Sequence, residues 1–213
     1  LISLFNLPVK TFRVDPTLYD KEQIISRITD NYALDPNRNV KPDMGPLHHC
    51  YVDYGNPKFN DPDYTKLAPV YQTLVEKYLG TMDLDEGTKY TWEFVNYAAY
   101  GDTKSTMRSH FHSFCDFSAV HYMQFDEENH SPTVFSNPFT WGEFTKHSRP
   151  NLDRCLKKTI NNSWAEEWYK IPTKEDDMVF FPAQLKHEVM AQGKSNKLRI
   201  TVAINITIDM IMS

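Results

Sequence analysis

The stretch RSHFHSFCDFSAVHYMQF, Arg108–Phe125, puts three histidines, an aspartate and a cysteine into a segment that otherwise reads as a strand. On an extended backbone, side chains two apart leave the same face, so His110 and His112 can converge on one point. Imidazole nitrogen is the commonest protein ligand for a first-row transition metal. An isolated histidine is more often a surface or satisfied core group, and two ligands hold a metal weakly. The pair therefore needs a third ligand from a neighbouring strand.

The surrounding sequence supplies strands. KYTWEFVNYAAYG (89–101) alternates and ends on a glycine. FSAVHYMQF (117–125), TVFSNPF (133–139), DMVFFPAQ (177–184) and KLRITVAINITI (197–208) follow, each bounded by turn-forming residues. No βαβ alternation is present. The N-terminal third is different. DKEQIISRITDNYAL (20–34) puts Ile24, Ile25, Ile28 and Tyr32 on one helical face, with Asp20 as N-cap. DYTKLAPVYQTLVEKYLG (63–80) repeats the pattern, with Gly80 suited to the left-handed C′ position. Between them lies a Pro-, Asn- and Asp-rich loop (35–63), with one short strand at HHCYVDY (48–54). The polar segment Glu143–Trp168 reads as a long excursion between strands. The expected architecture is mainly β, an antiparallel sandwich or barrel packed by the N-terminal helices. It forms a single domain over 1–213, with a helical and loop region (1–87) against a β core (88–213).

Composition excludes several classes of function. A net charge of −5 disfavours a nucleic-acid surface, which needs clustered Lys and Arg. No apolar run approaches the roughly 20 residues that span a bilayer, and LISLFNLPVKTF at the start is too short and polar for a signal peptide. The three cysteines, Cys50, Cys115 and Cys155, form no CxxC and read as free thiols of a reducing compartment. Thirteen Phe, twelve Tyr and four Trp, against only seven Gly, favour a β-rich core.

The third ligand is expected at His187, in FFPAQLKHEV, after an apolar strand and a proline turn. Arg199 follows twelve residues later and shares one strand face with Thr201, Ala203 and Asn205. An arginine on the inward face of an apolar strand is costly unless it meets an anion, and its planar fork matches a carboxylate. His121 alternates out of phase with Tyr122 and faces away from the site. His48 and His49 point to opposite faces, in a loop near the mouth. His130 and His147 read as solvated, and Cys115 as packing.

In this order the pieces HFH (110–112), SAVHY (118–122), FFP (180–182), His187, Arg199 and Asn205, with Asn96 and Gly101 before them, resemble the iron(II)- and 2-oxoglutarate-dependent oxygenases. They most resemble a bacterial and phage subgroup with an HxH…H…R pattern. The likeness covers about residues 92 to 208. It implies a double-stranded β-helix (jelly-roll, cupin-like) fold. It also implies Fe(II), 2-oxoglutarate and O2, with ascorbate as an activator. His110, His112 and His187 would face the metal. Arg199 would pair with the distal carboxylate of 2-oxoglutarate, with Thr201 beside it and Tyr122 and Tyr100 as further contacts. The implied activity is hydroxylation of an unidentified small molecule or peptide, with succinate and CO2 as products, in the cytoplasm of a bacterial or phage-infected cell. One position departs from the family pattern: His112 stands where a carboxylate is usual. Asp116, four residues on, would share its face in an unbroken strand and is the alternative ligand. Two further readings stay open: a three-histidine cupin-like metalloenzyme that does not use 2-oxoglutarate, and a non-enzymatic jelly-roll binding or structural protein.

Overall fold

The computed structural model describes residues 6–38, 45–49, 56–101, 103–139, 141–148, 150–157 and 160–209. Among the described residues, ten strands form two antiparallel sheets. In the larger sheet, β1 (Lys10–Arg13), β8 (Asp177–Pro182), β5 (Phe117–Gln124), β10 (Arg199–Asp209), β3 (Lys89–Tyr100) and β2 (His48–His49) lie side by side in that order. The smaller sheet runs β4 (Met107–His110), β9 (His187–Val189), β6 (Thr133–Ser136), β7 (Trp168–Lys170). This is the expected jelly roll, and the N-terminal third completes it: β1 and β2 are the two edges of the larger sheet. The rest of the HHCYVDY stretch lies outside the described residues, as does Cys50.

The two expected helices form. In α1 (Lys21–Leu34) the Asp20 side chain accepts from Gln23 N–H, satisfying one of the donors a helix start leaves unpaired. Ile24 and Ile28 are buried, as is Tyr71 of α2 (Leu67–Leu79) with Leu74, Val75 and Tyr78. These residues pack on the outer face of the larger sheet, against Ile200, Val202, Ile204 and Ile206 of β10 and Ala119 and Met123 of β5. Gly80 ends α2 at φ −65°, ψ −7°, right-handed rather than left-handed as expected. Its N–H simply continues the helical pattern to Glu76 O, which needs no positive φ. At Gly101, just past β3, a Cβ would overlap the phenol end of Tyr32 of α1, so a larger residue there would displace that ring.

The excursion over 143–168 is not structureless. It carries α3 (Trp141–Ser148), α4 (Pro150–Cys155) and a 3-10 turn at Ile160–Ala165. Among the described residues no helix is long and apolar enough to cross a membrane.

The opening stretch is two strands rather than one. Residues 111–116 bend, and the chain passes from the smaller sheet to the larger. The crossing is held by His112 N–H to Ala183 O at 2.8 Å, Asp116 N–H to Ile206 O at 2.9 Å and Ala183 N–H to Asp116 O at 2.9 Å.

Candidate metal centre

The site lies between the sheets. β4 and β9 pair antiparallel with His110 opposite His187, and His112 follows just beyond the end of β4. The ring centroids are 4.2 Å apart for His110 and His187, 5.5 Å for His110 and His112, and 5.4 Å for His112 and His187. One nitrogen from each ring falls within 4.8 Å of the other two. Among the described residues no other His, Cys, Asp or Glu joins this cluster.

Each ring also has its Nδ1 turned to an oxygen: Arg108 O at 2.9 Å for His110, Asn205 Oδ1 at 2.8 Å for His112 and Leu185 O at 2.8 Å for His187. An Nδ1–H donated to oxygen leaves the lone pair on Nε2, the nitrogen each ring offers a metal. Burial, helped by the neighbouring His110 and His112, pushes His187 down to about 3. It is therefore neutral at physiological pH, the form that ligates. This donor set fits a divalent transition metal.

Asp116 does not approach the histidines in the way an unbroken strand would bring it. The bend at 111–116 turns its exposed carboxylate to the far end of β10, where it accepts from Ile208 N–H at 2.8 Å.

The histidines line one wall of a cleft of about 960 Å³, open mouth included. Arg199, Thr201 and Ala203 of β10 line it too, with Tyr100 and Ala98 of β3 and Thr133 of β6. A register shift in the β3–β10 ladder at Ala203/Ile204 leaves Val95 unpaired on β3, and Val95 also lines the cleft. Arg199 is wholly buried. Its Nε donates to Ser131 O at 3.0 Å, and its carbon centre lies 4.6 Å over the Tyr100 ring and 5.2 Å over the Tyr122 ring. Nη1 and Nη2 are buried with no hydrogen-bond partner among the described residues. A buried guanidinium with both terminal nitrogens unpaired is strongly unfavourable until an anion meets it. A carboxylate entering the cleft fits that need.

The two tyrosines differ. Tyr100 lines the cleft, and burial raises its phenol to about 12, with Arg199 pulling the other way. Tyr122 spends its hydroxyl on Thr133: it donates to Thr133 Oγ1 at 2.8 Å and accepts from Thr133 N–H at 2.9 Å. The Thr133 hydroxyl keeps its own proton to donate, and Thr133 is on the cleft wall. Sequence spacing singled out Tyr122 and passed over Thr133, because only the fold brings β6 beside β5's tyrosine. Ser118 is a second omission in role: it joins Asn205 under His112, as its cross-strand partner.

The remaining histidines divide. His121 faces away as expected, buried on the helix side with Nδ1 2.7 Å from the Tyr71 hydroxyl. His48 is buried against Tyr97 while His49 lines the cleft, so the pair does split between faces, though on a short strand rather than a loop. His130 is buried, not solvated. Its Nδ1 accepts from Asp126 N–H at 2.9 Å and its Nε2 donates to Lys197 O at 3.1 Å, closing the turn after β5.

Comparison with known proteins agrees with this geometry. Residues 97–205 match the family model described as "Putative 2OG-Fe(II) oxygenase". No curated protein matches the chain. Among solved structures, a prolyl-4-hydroxylase from Pseudomonas putida superposes with a TM-score of 0.52 at 11% identity, over 96% of this chain and 94% of that one. A prolyl hydroxylase from Trichoplax adhaerens, bound to a peptide fragment of hypoxia inducible factor, superposes with a TM-score of 0.55 at 8% identity, over 96% and 85%. At such identities these structures speak to the fold. The family match covers half of the chain and spans the three histidines and Arg199 together, and the chain belongs to the 2OG-Fe(II) oxygenase family.

Proposed function

We propose that the protein is an iron(II)- and 2-oxoglutarate-dependent hydroxylase in which His110, His112 and His187 hold the metal and Arg199 anchors the co-substrate. The observation that carries this reading is the pairing of a three-imidazole cluster with a buried, half-unpaired guanidinium in one cleft. Iron(II), 2-oxoglutarate and dioxygen together supply the oxidising chemistry of the family, with succinate and CO2 as products.

The chain's own residues do the rest. Three neutral imidazoles leave the metal's charge uncompensated, which favours a dianionic co-substrate over a neutral one. Arg199 Nη1 and Nη2 would donate to a carboxylate in a fork geometry, while the Tyr100 and Tyr122 rings hold the guanidinium plane. Thr201 of the larger sheet and Thr133 of the smaller one add hydroxyls to the cleft lining. The mouth is apolar, with Phe111 and Phe114 exposed beside His112 and Val95, Val189 and Ala203 deeper in. Arg199 is the only permanently charged group among the described lining residues. Such a lining selects an uncharged C–H group and excludes water from the metal.

The test is anaerobic 2-oxoglutarate binding with and without iron(II), followed by succinate formation on adding ascorbate and oxygen. Iron-dependent binding and slow substrate-free succinate release are expected. A folded protein with no metal-dependent affinity for 2-oxoglutarate would overturn the reading and favour a three-histidine enzyme without the co-substrate.

A further inference from the structure

His112 is held differently from its two neighbours. His110 and His187 each turn Nδ1 to a backbone carbonyl two residues earlier, and a carbonyl can only accept. The main chain thus fixes those two tautomers. His112 leans on side chains: Asn205 Oδ1 at 2.8 Å and Ser118 Oγ at 3.0 Å. An amide and a hydroxyl can each donate or accept, so here the tautomer depends on how that pair is arranged.

Ser118 on β5 and Asn205 on β10 are direct cross-strand partners, 1% and 2% exposed. Ser118 Oγ donates to Asn205 Oδ1 at 2.7 Å, in the arrangement where the amide presents its oxygen to His112. That orientation leaves Asn205 Nδ2 buried with no partner among the described residues. Reversing the amide would let Nδ2 donate to His112 and Ser118. The His112 proton would then sit on Nε2, facing the other two rings, and no lone pair would remain for a metal. A carboxylate at position 112 would need no such arrangement, because either of its oxygens can ligate. An imidazole does.

We propose that Asn205 and Ser118 are positioning residues that lock His112 in its Nδ1–H tautomer, and that this lock is what allows a histidine to stand in the carboxylate's place. The inference rests on the reading that the three histidines hold a metal. The unpaired Asn205 Nδ2 is the consequence of the lock.

The test uses the full chain with ¹⁵N-labelled histidine. In the metal-free wild type, long-range ¹H–¹⁵N spectra should show His112 protonated on Nδ1. Asn205→Asp, which can only accept from His112, should keep that tautomer and bind Co(II) at least as tightly as wild type. Asn205→Leu should lose the tautomer preference and bind Co(II) about 10- to 100-fold more weakly, the usual effect of removing a group that orients a ligand. Ser118→Ala should act in the same direction and less strongly. Wild-type His112 protonated on Nε2, or Asn205→Leu with tautomer and Co(II) affinity unchanged, would overturn the proposal. Should the leucine variant not fold, Asn205→Asp and Ser118→Ala decide by the same spectra. A wild type that takes up no Co(II) would refute the metal site, while the tautomer spectra would still judge the lock.

Discussion

Strand β10 has two faces with opposite tasks. Ile200, Val202, Ile204 and Ile206 point to the helices and are fully buried there. Arg199, Thr201, Ala203 and Asn205 point to the cleft side and carry nearly all of the strand's polar chemistry. The same backbone thus separates packing from function by side-chain alternation alone. The outer face is satisfied by itself. The inner face holds Arg199, whose two terminal nitrogens have no partner among the described residues, and it looks across the cleft at the three imidazoles of the smaller sheet. An ordinary hydrophobic layer stabilises the sheet strongly enough to hold that unfavourable charge in place.

The largest expected effect tests the inner face. Arg199→Leu should weaken 2-oxoglutarate binding by about 1000-fold, corresponding to roughly 4 kcal/mol for a lost buried charge pair. Metal affinity should not change. Because Nη1 and Nη2 of this buried charge lack partners among the described residues, thermal stability should hold or rise. A lower melting temperature for this variant would break the comparison. On the outer face, Ile204→Ala should cost about 2–5 kcal/mol in urea unfolding and leave the metal affinity of the folded fraction intact. A loss of metal affinity there would show that the two faces are coupled.

The smallest effect concerns acid. Burial, with the Lys21 and Arg13 cations, holds the outer-face His121 at about 3, against an ordinary value of 6.5. The unfolded chain takes up this proton as pH falls through 6.5, and the folded chain does so only near 3. The neutral ring's contribution is therefore complete above 6.5 and is lost as pH falls toward 3, at up to about 1.4 kcal/mol per pH unit. Metal-free His187, also held near 3, acts in the same sense. His121→Gln should flatten the slope of stability against pH between 4 and 6.5 by about half of this histidine share. An unchanged slope would mean that His121 does not set the acid response.

The convergence of His110, His112 and His187 on a cleft shared with Arg199 was legible from their order and spacing, although His112 lies just beyond β4 and His187 opens the three-residue β9. An antiparallel sandwich or barrel followed from many strands without βαβ spacing, and the family resemblance narrowed it to a jelly roll. Other features depended on the chain changing direction. The bend at 111–116 carries no glycine or proline, so the segment reads as continuous strand, and Asp116 reads as facing the metal. Its carboxylate instead serves Ile208 N–H. Thr133 and Ser118 gained their roles through partners 11 and 87 residues away, Tyr122 and Asn205. β1 is four residues long and is made a strand by the edge it pairs with, not by its own pattern, whereas β2 falls within the strand expected at 48–54.

Arg199 and Asn205 lie six residues apart on one uninterrupted strand, roughly 20 Å along its length. That strand pairs on both sides, with β3 and β5. It therefore acts as a ruler, setting the separation between the Arg199 guanidinium and the Asn205 contact to His112 from a single rigid element. A slip of one residue would turn both into the helical layer and swing isoleucines into the cleft. A misaligned copy would thus take Arg199 out of the cleft and Asn205 away from His112 in a single step.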